Sequence, residues 1–185
     1  MKVYYDCEFI DSGKDIEFIS IGMVREDGKE YYAVTNNGVT INKAVRHDWL
    51  RSNVVNQLPI TLGTGNGWDW DFDHNDHKNI KSRDDIRADL RKFLLDVSDL
   101  ELWAWYGAYD HVALAQLFGT MLDLPTGIPM WTNDLRQELH RLGNPRYPEQ
   151  QKGAHNALAD AKWNRTLGNY LTALDGPVQT PGRQW

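Results

Sequence analysis

Three short apolar runs come before the first helical pattern in this chain. Val3 to Phe9 reads as a strand, Ile16 to Val24 as a second and Tyr31 to Thr35 as a third. Asp27-Gly28, between the second and third, is a hairpin turn signal, so the chain opens as an antiparallel meander. The period then changes. Val45, Trp49, Leu50 and Val54 predict a helix over 44–57, stopped by Pro59. Residues 61–79 are rich in Gly, Asn, Asp and Trp, show no period, and read as a long loop. Ser82 with Asp85 three residues on resembles a capping box, and Ile86, Leu90, Phe93, Leu94 and Val97 continue at helical spacing. Leu100 to Tyr106 is expected as a buried strand, Tyr109 to Phe118 as a helix, and Met130-Trp131 as a short strand. Helices are expected over Asp134 to Leu142 and about Asn156 to Leu174, separated by a loop containing Pro145 and Pro148.

Strands in a meander, followed by helices alternating with strands, predict an α/β fold with a mixed sheet flanked by helices. The expected organisation is one domain over 1–175 and an extended tail over 176–185. At 185 residues, with 41% hydrophobic and 25% charged side chains, the composition is that of a soluble globular domain. The apolar runs are too short to span a membrane, and no export leader is expected. A single cysteine excludes an internal disulfide and fits a reducing compartment, so the expected location is cytoplasmic. The net charge of −6 argues against a passive nucleic-acid coat protein. It does not exclude a nuclease, because clustered carboxylates supply acidity whose local sign bound divalent ions reverse.

Asp6 and Glu8 sit two apart on the first strand and therefore point to one face, while Cys7 points to the other. On a buried strand the two carboxylates repel and each is desolvated; a divalent cation relieves both costs. On a solvated edge strand they would need no ion, but Val3, Tyr5, Cys7 and Phe9 make one face apolar. Asp110 follows the Leu100 to Tyr106 run at a helix start, where a carboxylate can also simply favour the dipole. His155 and Asp160 are five residues apart, roughly 140° apart on an ideal helix. They converge only if His155 lies at or before the helix start, which Gly153 makes feasible. His155 would then be placed to act as a general base on water.

Asp-x-Glu on the first strand, an Asp after a later strand, and His-x-Ala-x-x-Asp near the C-terminus resemble the DEDDh family of 3′–5′ exonucleases. The similarity spans about Val3 to Leu174. The resemblance implies the ribonuclease H-like fold of RNase T and oligoribonuclease. The short Asp-Cys-Glu-Phe strand looks like that of the small bacterial 3′-exoribonucleases of the mycobacterial polyadenylate-specific type. By resemblance, Asp6, Glu8 and Asp160 would ligate two Mg²⁺ or Mn²⁺ ions, with Asp110 contributing directly or through water, and His155 would deprotonate the attacking water. The implied partner is single-stranded RNA with a free 3′ end, and relatives form homodimers. Many relatives carry Thr or Met where Phe9 stands, and Asn where Tyr106 stands. Phe9, Tyr106 and Tyr109 are the residues expected to contact substrate.

Three alternatives stay open on sequence: a ribonuclease H-like endonuclease, a DNA exonuclease, and a non-catalytic nucleic-acid or protein-binding module on the same fold. Asp69 to Asp73 resembles the start of a calcium loop, but His74 and Ile80 stand where that loop needs Gly and Glu. Trp68 and Trp70 are candidates for base contact. Arg141, Arg146 and Lys152 could meet phosphates, although a solvated surface is the favoured reading for each of them.

Overall fold

β1 (Lys2–Asp11), β2 (Ile16–Arg25) and β3 (Glu30–Thr35) form the expected antiparallel meander, with Asp6 opposite Gly22. They are seen in a computed structural model that describes residues 1–150 and 153–176; Lys152 and the predicted tail beyond Gly176 lie outside the described residues. α1 (Gly38–Arg46) and α2 (Asp48–Asn53) follow, then a 3₁₀ turn over Val55–Gln57. The single helix expected over 44–57 is therefore broken. His47 is extended and caps α2, its ring accepting the Leu50 N–H at 3.4 Å. The break turns Leu50, Val54 and Val55 onto the core already occupied by Ile41 and Val45.

The segment expected as one long loop contains a small hairpin, β4 (Ile60–Leu62) and β5 (Trp68–Trp70). Trp68 and Trp70 pack against the α1–α2 core, which accounts for their presence there. β6 (Ile80–Lys81) runs parallel to β3, and Ser82 caps α3 (Arg83–Leu95), accepting from the Asp85 N–H. β7 (Glu101–Ala104) is shorter than predicted and runs parallel to β1. α4 (Ala108–Phe118), β8 (Asn133–Asp134), α5 (Leu135–Arg141) and α6 (Ala157–Asp175) complete the chain. Met130 and Trp131 are exposed and form no strand. The polar pair Asn133–Asp134 pairs with β7 instead, because both side chains bind backbone: Asn133 Nδ2 donates to the Leu102 carbonyl, and Asp134 caps α5.

The main sheet has the order β6-β3-β2-β1-β7-β8, antiparallel through the meander and parallel at β7 and β8, consistent with the ribonuclease H-like fold. α3 and α4 cover the face carrying Val3, Tyr5 and Cys7. α5 and α6 cover the face carrying Tyr4. No helix among the described residues is long and apolar enough to cross a membrane.

One glycine sets how closely α6 can approach. A Cβ on Gly22 would lie 2.3 Å from the backbone of Ala157 and Leu158, so the first turn of α6 rests directly on β2. The contact is backbone to backbone, and no side-chain rotation relieves it. Gly22→Ala is expected to cost about 2 kcal/mol through overpacking. For a chain of this size that lowers the melting temperature by roughly 6 °C. An unchanged thermal melt would contradict this packing.

Candidate active site

The site forms where β7 ends and β1 continues. Pairing between the two stops at Tyr4 opposite Trp103, which leaves later backbone groups of β1 in need of partners. Asn164 of α6, itself buried, donates from Nδ2 to the Tyr5 carbonyl at 2.9 Å. Asp110 of α4 accepts the Cys7 N–H at 2.7 Å. One helix from each face therefore closes the open edge of β1. The N-terminus of α4 is in turn fixed by Asp134, whose Oδ2 accepts the Gly107 N–H at 3.0 Å.

Asp6, Glu8, Asp110, His155 and Asp160 line one cavity of about 270 Å³, together with Phe9, Trp105, Tyr106 and Tyr109. Glu8, His155 and Asp160 each place one ligand atom within 4.8 Å of the other two. Cys7 points away, as the alternation requires, and is buried in the α3–α4 core. β2 carries one extra residue, Ile19, opposite the step from Glu8 to Phe9, so a bulge lies beside the carboxylates.

The His155–Asp160 pair converges by leaving the helix. α6 begins at Ala157 and is capped by Asn156, whose side chain accepts from the Ala159 N–H. His155 precedes the cap in the left-handed region, at φ 68°. Its N–H donates to Asp160 Oδ2 at 2.8 Å, folding the backbone back over the aspartate. Gly153, at φ 81°, starts this turn, and a Cβ there would lie 2.9 Å from the Ala159 methyl.

The four carboxylates carry a large electrostatic cost. Burial, then the charges of Asp110, Glu8 and Asp160, holds Asp6 well above the usual carboxylate range. Burial, with Asp160 and Asp110, pushes Glu8 up to about 8. Burial raises Asp110 to about 7 even though the Cys7 amide opposes the shift. Asp160 is also raised by burial, against the donors Gln150 and His155. A divalent cation fits this donor set, since it removes the repulsion that burial amplifies. Oxygen ligands with at most one imidazole suit Mg²⁺ or Mn²⁺.

Of the expected substrate residues, Phe9 and Tyr109 stack with ring centroids 6.1 Å apart. Tyr106 is exposed and adopts φ 54°. Sequence reasoning passed over Trp105, Gln150, Asn164 and Trp49. Trp105 lines the cavity, Gln150 Nε2 donates to Asp160 Oδ1 at 2.5 Å, and Trp49 touches the His155 ring. None of the four belongs to a short local motif. Arg141 is engaged by Glu138 and Asp175, so the phosphate role considered for it has a structural competitor.

The sequence profile of a 3′–5′ exoribonuclease family, described as the Rv2179c-like domain, matches residues 1–172. Two relatives, both from Mycobacterium tuberculosis, are each 43% identical over 177 residues, covering 95% of this chain and 95% of their own. They are the 3′–5′ exoribonuclease Rv2179c of strain H37Rv and the 3′–5′ exoribonuclease MT2234.1 of strain CDC 1551.

The raised carboxylates make a signed prediction about stability. A carboxyl whose pKa is higher folded than unfolded stabilises the fold while protonated, and that contribution is lost as pH rises through the folded value. For Glu8 the loss is complete above about 8. In EDTA, Glu8→Gln should therefore melt higher than wild type, with a difference that grows from pH 5 to pH 9. Added Mg²⁺ should stabilise wild type more than the variant and shrink the difference. A pH-independent difference in paired thermal melts would refute this account of the site.

Proposed function

The chain belongs to the Rv2179c-like 3′–5′ exoribonuclease family, and on that footing we propose that it shortens single-stranded RNA from a free 3′ end, releasing nucleoside 5′-monophosphates. The observation that carries this reading is the convergence of Asp6, Glu8, Asp110, Asp160 and His155 on one cavity. In this reading residues 1–175 act as a single cytoplasmic exonuclease domain.

Asp6, Glu8 and Asp160 would hold two Mg²⁺ or Mn²⁺ ions, with Asp110 as a further oxygen donor. Such a pair supplies Lewis acidity to both the attacking and the leaving oxygen of an in-line displacement. The chain's own residues do the rest. A ring nitrogen of His155 takes the proton of the attacking water as its oxygen bonds to phosphorus, and the leaving 3′-oxygen departs with the shortened strand. The Cys7 N–H orients Asp110, and the His155 N–H and Gln150 orient Asp160. Phe9 and Tyr109 offer an aromatic surface for the terminal base. Such stacking is worth about 1–3 kcal/mol per base and tolerates any base.

The test is a time course on 5′-labelled RNA, alongside the same strand blocked at its 3′ end and a matched DNA. With Mg²⁺, a ladder should shorten from the free 3′ end only. EDTA should abolish it, and Asp160→Ala should lower the rate by about three orders of magnitude, as expected for one member of a cooperative unit. Internal cuts insensitive to the block would mean an endonuclease. Preference for the DNA strand would mean a DNA exonuclease, and no cleavage of either would leave a binding module.

A homodimer completes this proposal. It is supported by the apolar side chains left exposed on α4 and in the segments after it: Tyr109, Val112, Met121, Leu122, Met130 and Trp131. Sedimentation equilibrium at micromolar concentration should give twice the chain mass of 21.3 kDa; a monomer would reject this assembly.

A further inference from the structure

Trp49 has no evident packing role. It is the largest side chain of α2, yet it is 51% exposed and lies outside the core that Leu50, Val54 and Val55 build with α1. Its ring meets the imidazole of His155 edge to face, with centroids 4.9 Å apart and planes at 76°. Its backbone is also secured, the Trp49 carbonyl accepting from Asn53 Nδ2 at 2.8 Å.

His155 needs such a neighbour. Its left-handed backbone costs on the order of 1–3 kcal/mol and persists only where the surroundings hold it. The torsion that turns an imidazole about its Cβ–Cγ bond is soft and broad. The Asp160 carboxylate fixes the main chain of His155 through the N–H, which leaves the ring free to swing. Glu8 and Asp160 lie within 4.8 Å of a ring nitrogen, and Trp49 bounds the ring from α2.

We propose that Trp49 is a positioning residue for His155, an aromatic wall that keeps the imidazole turned toward the carboxylates. The proposal rests on His155 acting as the general base. Trp49 takes no part in the chemistry itself. A ring displaced by about 1 Å from its productive pose is enough to slow a proton transfer by one to two orders of magnitude.

The experiment uses the full chain with Mg²⁺ and single-turnover cleavage of 5′-labelled RNA by wild type, Trp49→Ala, Trp49→Phe, His155→Ala and the Trp49→Ala/His155→Ala double variant. Trp49→Ala should lower the rate at saturating enzyme about tenfold, leave the half-saturating enzyme concentration unchanged, and melt close to wild type. Trp49→Phe should recover most of the rate. The double variant should be no slower than His155→Ala, because a residue acting only through the imidazole has nothing left to act on. Imidazole carbon–proton spectra without metal, assigned with His155→Ala, provide a readout independent of cleavage. The His155 ring protons should lose the ring-current shift of Trp49 in Trp49→Ala.

A loss confined to half-saturation would assign Trp49 to base stacking instead and overturn the proposal. So would an unchanged rate, a further loss in the double variant, or unmoved His155 ring protons. An inactive wild type, or a fully active His155→Ala, would remove the general-base reading itself; that failure is distinct, because Trp49 is then not the cause.

Discussion

β1 runs on past the end of β7, and its backbone groups there must still find hydrogen bonds. A buried peptide group left unpaired costs about 1–3 kcal/mol. A longer β7 would have supplied the partners and sealed the strand into the sheet. Here the sheet stops, and Asn164 and Asp110 take the place of a neighbouring strand. Asp110 thus has two consequences in one position. Its Oδ1 completes the hydrogen bonding of β1, and its carboxyl group is thereby fixed beside Asp6 and Glu8. A fourth acid, Asp160, arrives on α6 because Gly22 lets that helix rest against β2 directly opposite Asp6.

The price of the arrangement is repulsion. Four carboxyl groups face one cavity, and burial magnifies their mutual charge. Two of the four have a fixed donor that limits this cost without removing it. The Cys7 amide serves Asp110, and the His155 amide with Gln150 serves Asp160. Glu8 sits beside the bulge in β2. Asp160 also lies in the first turn of α6, where the helix dipole favours a negative charge. Four of the chain's 26 acidic side chains are thus gathered where divalent cations would offset their charge.

Most of this was legible in the sequence, and the reasons differ by element. The meander, α3, α4 and α6 carry strong periodicity and turn or capping signals, and they lie where predicted. The Asp-x-Glu and His-x-Ala-x-x-Asp spacings are local, so their residues could be named without a fold. Angular arithmetic set the condition that His155 must lie at or before the helix start to converge with Asp160, and it lies there. Asn133–Asp134 escaped notice because its side chains serve the backbone instead of a core, and hydrophobicity pointed to Met130-Trp131. The break at His47 escaped because histidine is an uncommon cap. Gly22 did leave a signal, since an isolated glycine within a strand marks a bulge or a close backbone approach. Trp49, Trp105 and Gln150 left none, being brought to the site only by tertiary packing.

Strain is found at the rim of the same cavity. Tyr106 and His155 both adopt left-handed backbone conformations without being glycine, and both line it. Each is braced by an aromatic neighbour: Tyr106 meets Trp105 at 5.1 Å, and His155 meets Trp49 at 4.9 Å. Trp105 is itself braced by Trp163, whose Nε1 donates to the Pro148 carbonyl and so anchors the chain that leads toward His155. Several of the eight tryptophans and eight tyrosines thereby serve as scaffolding. These rings do not ligate metal and need not touch substrate. They pack beside the two left-handed residues that line the cavity with the carboxylates, while the main chain of His155 is fixed by its hydrogen bond to Asp160.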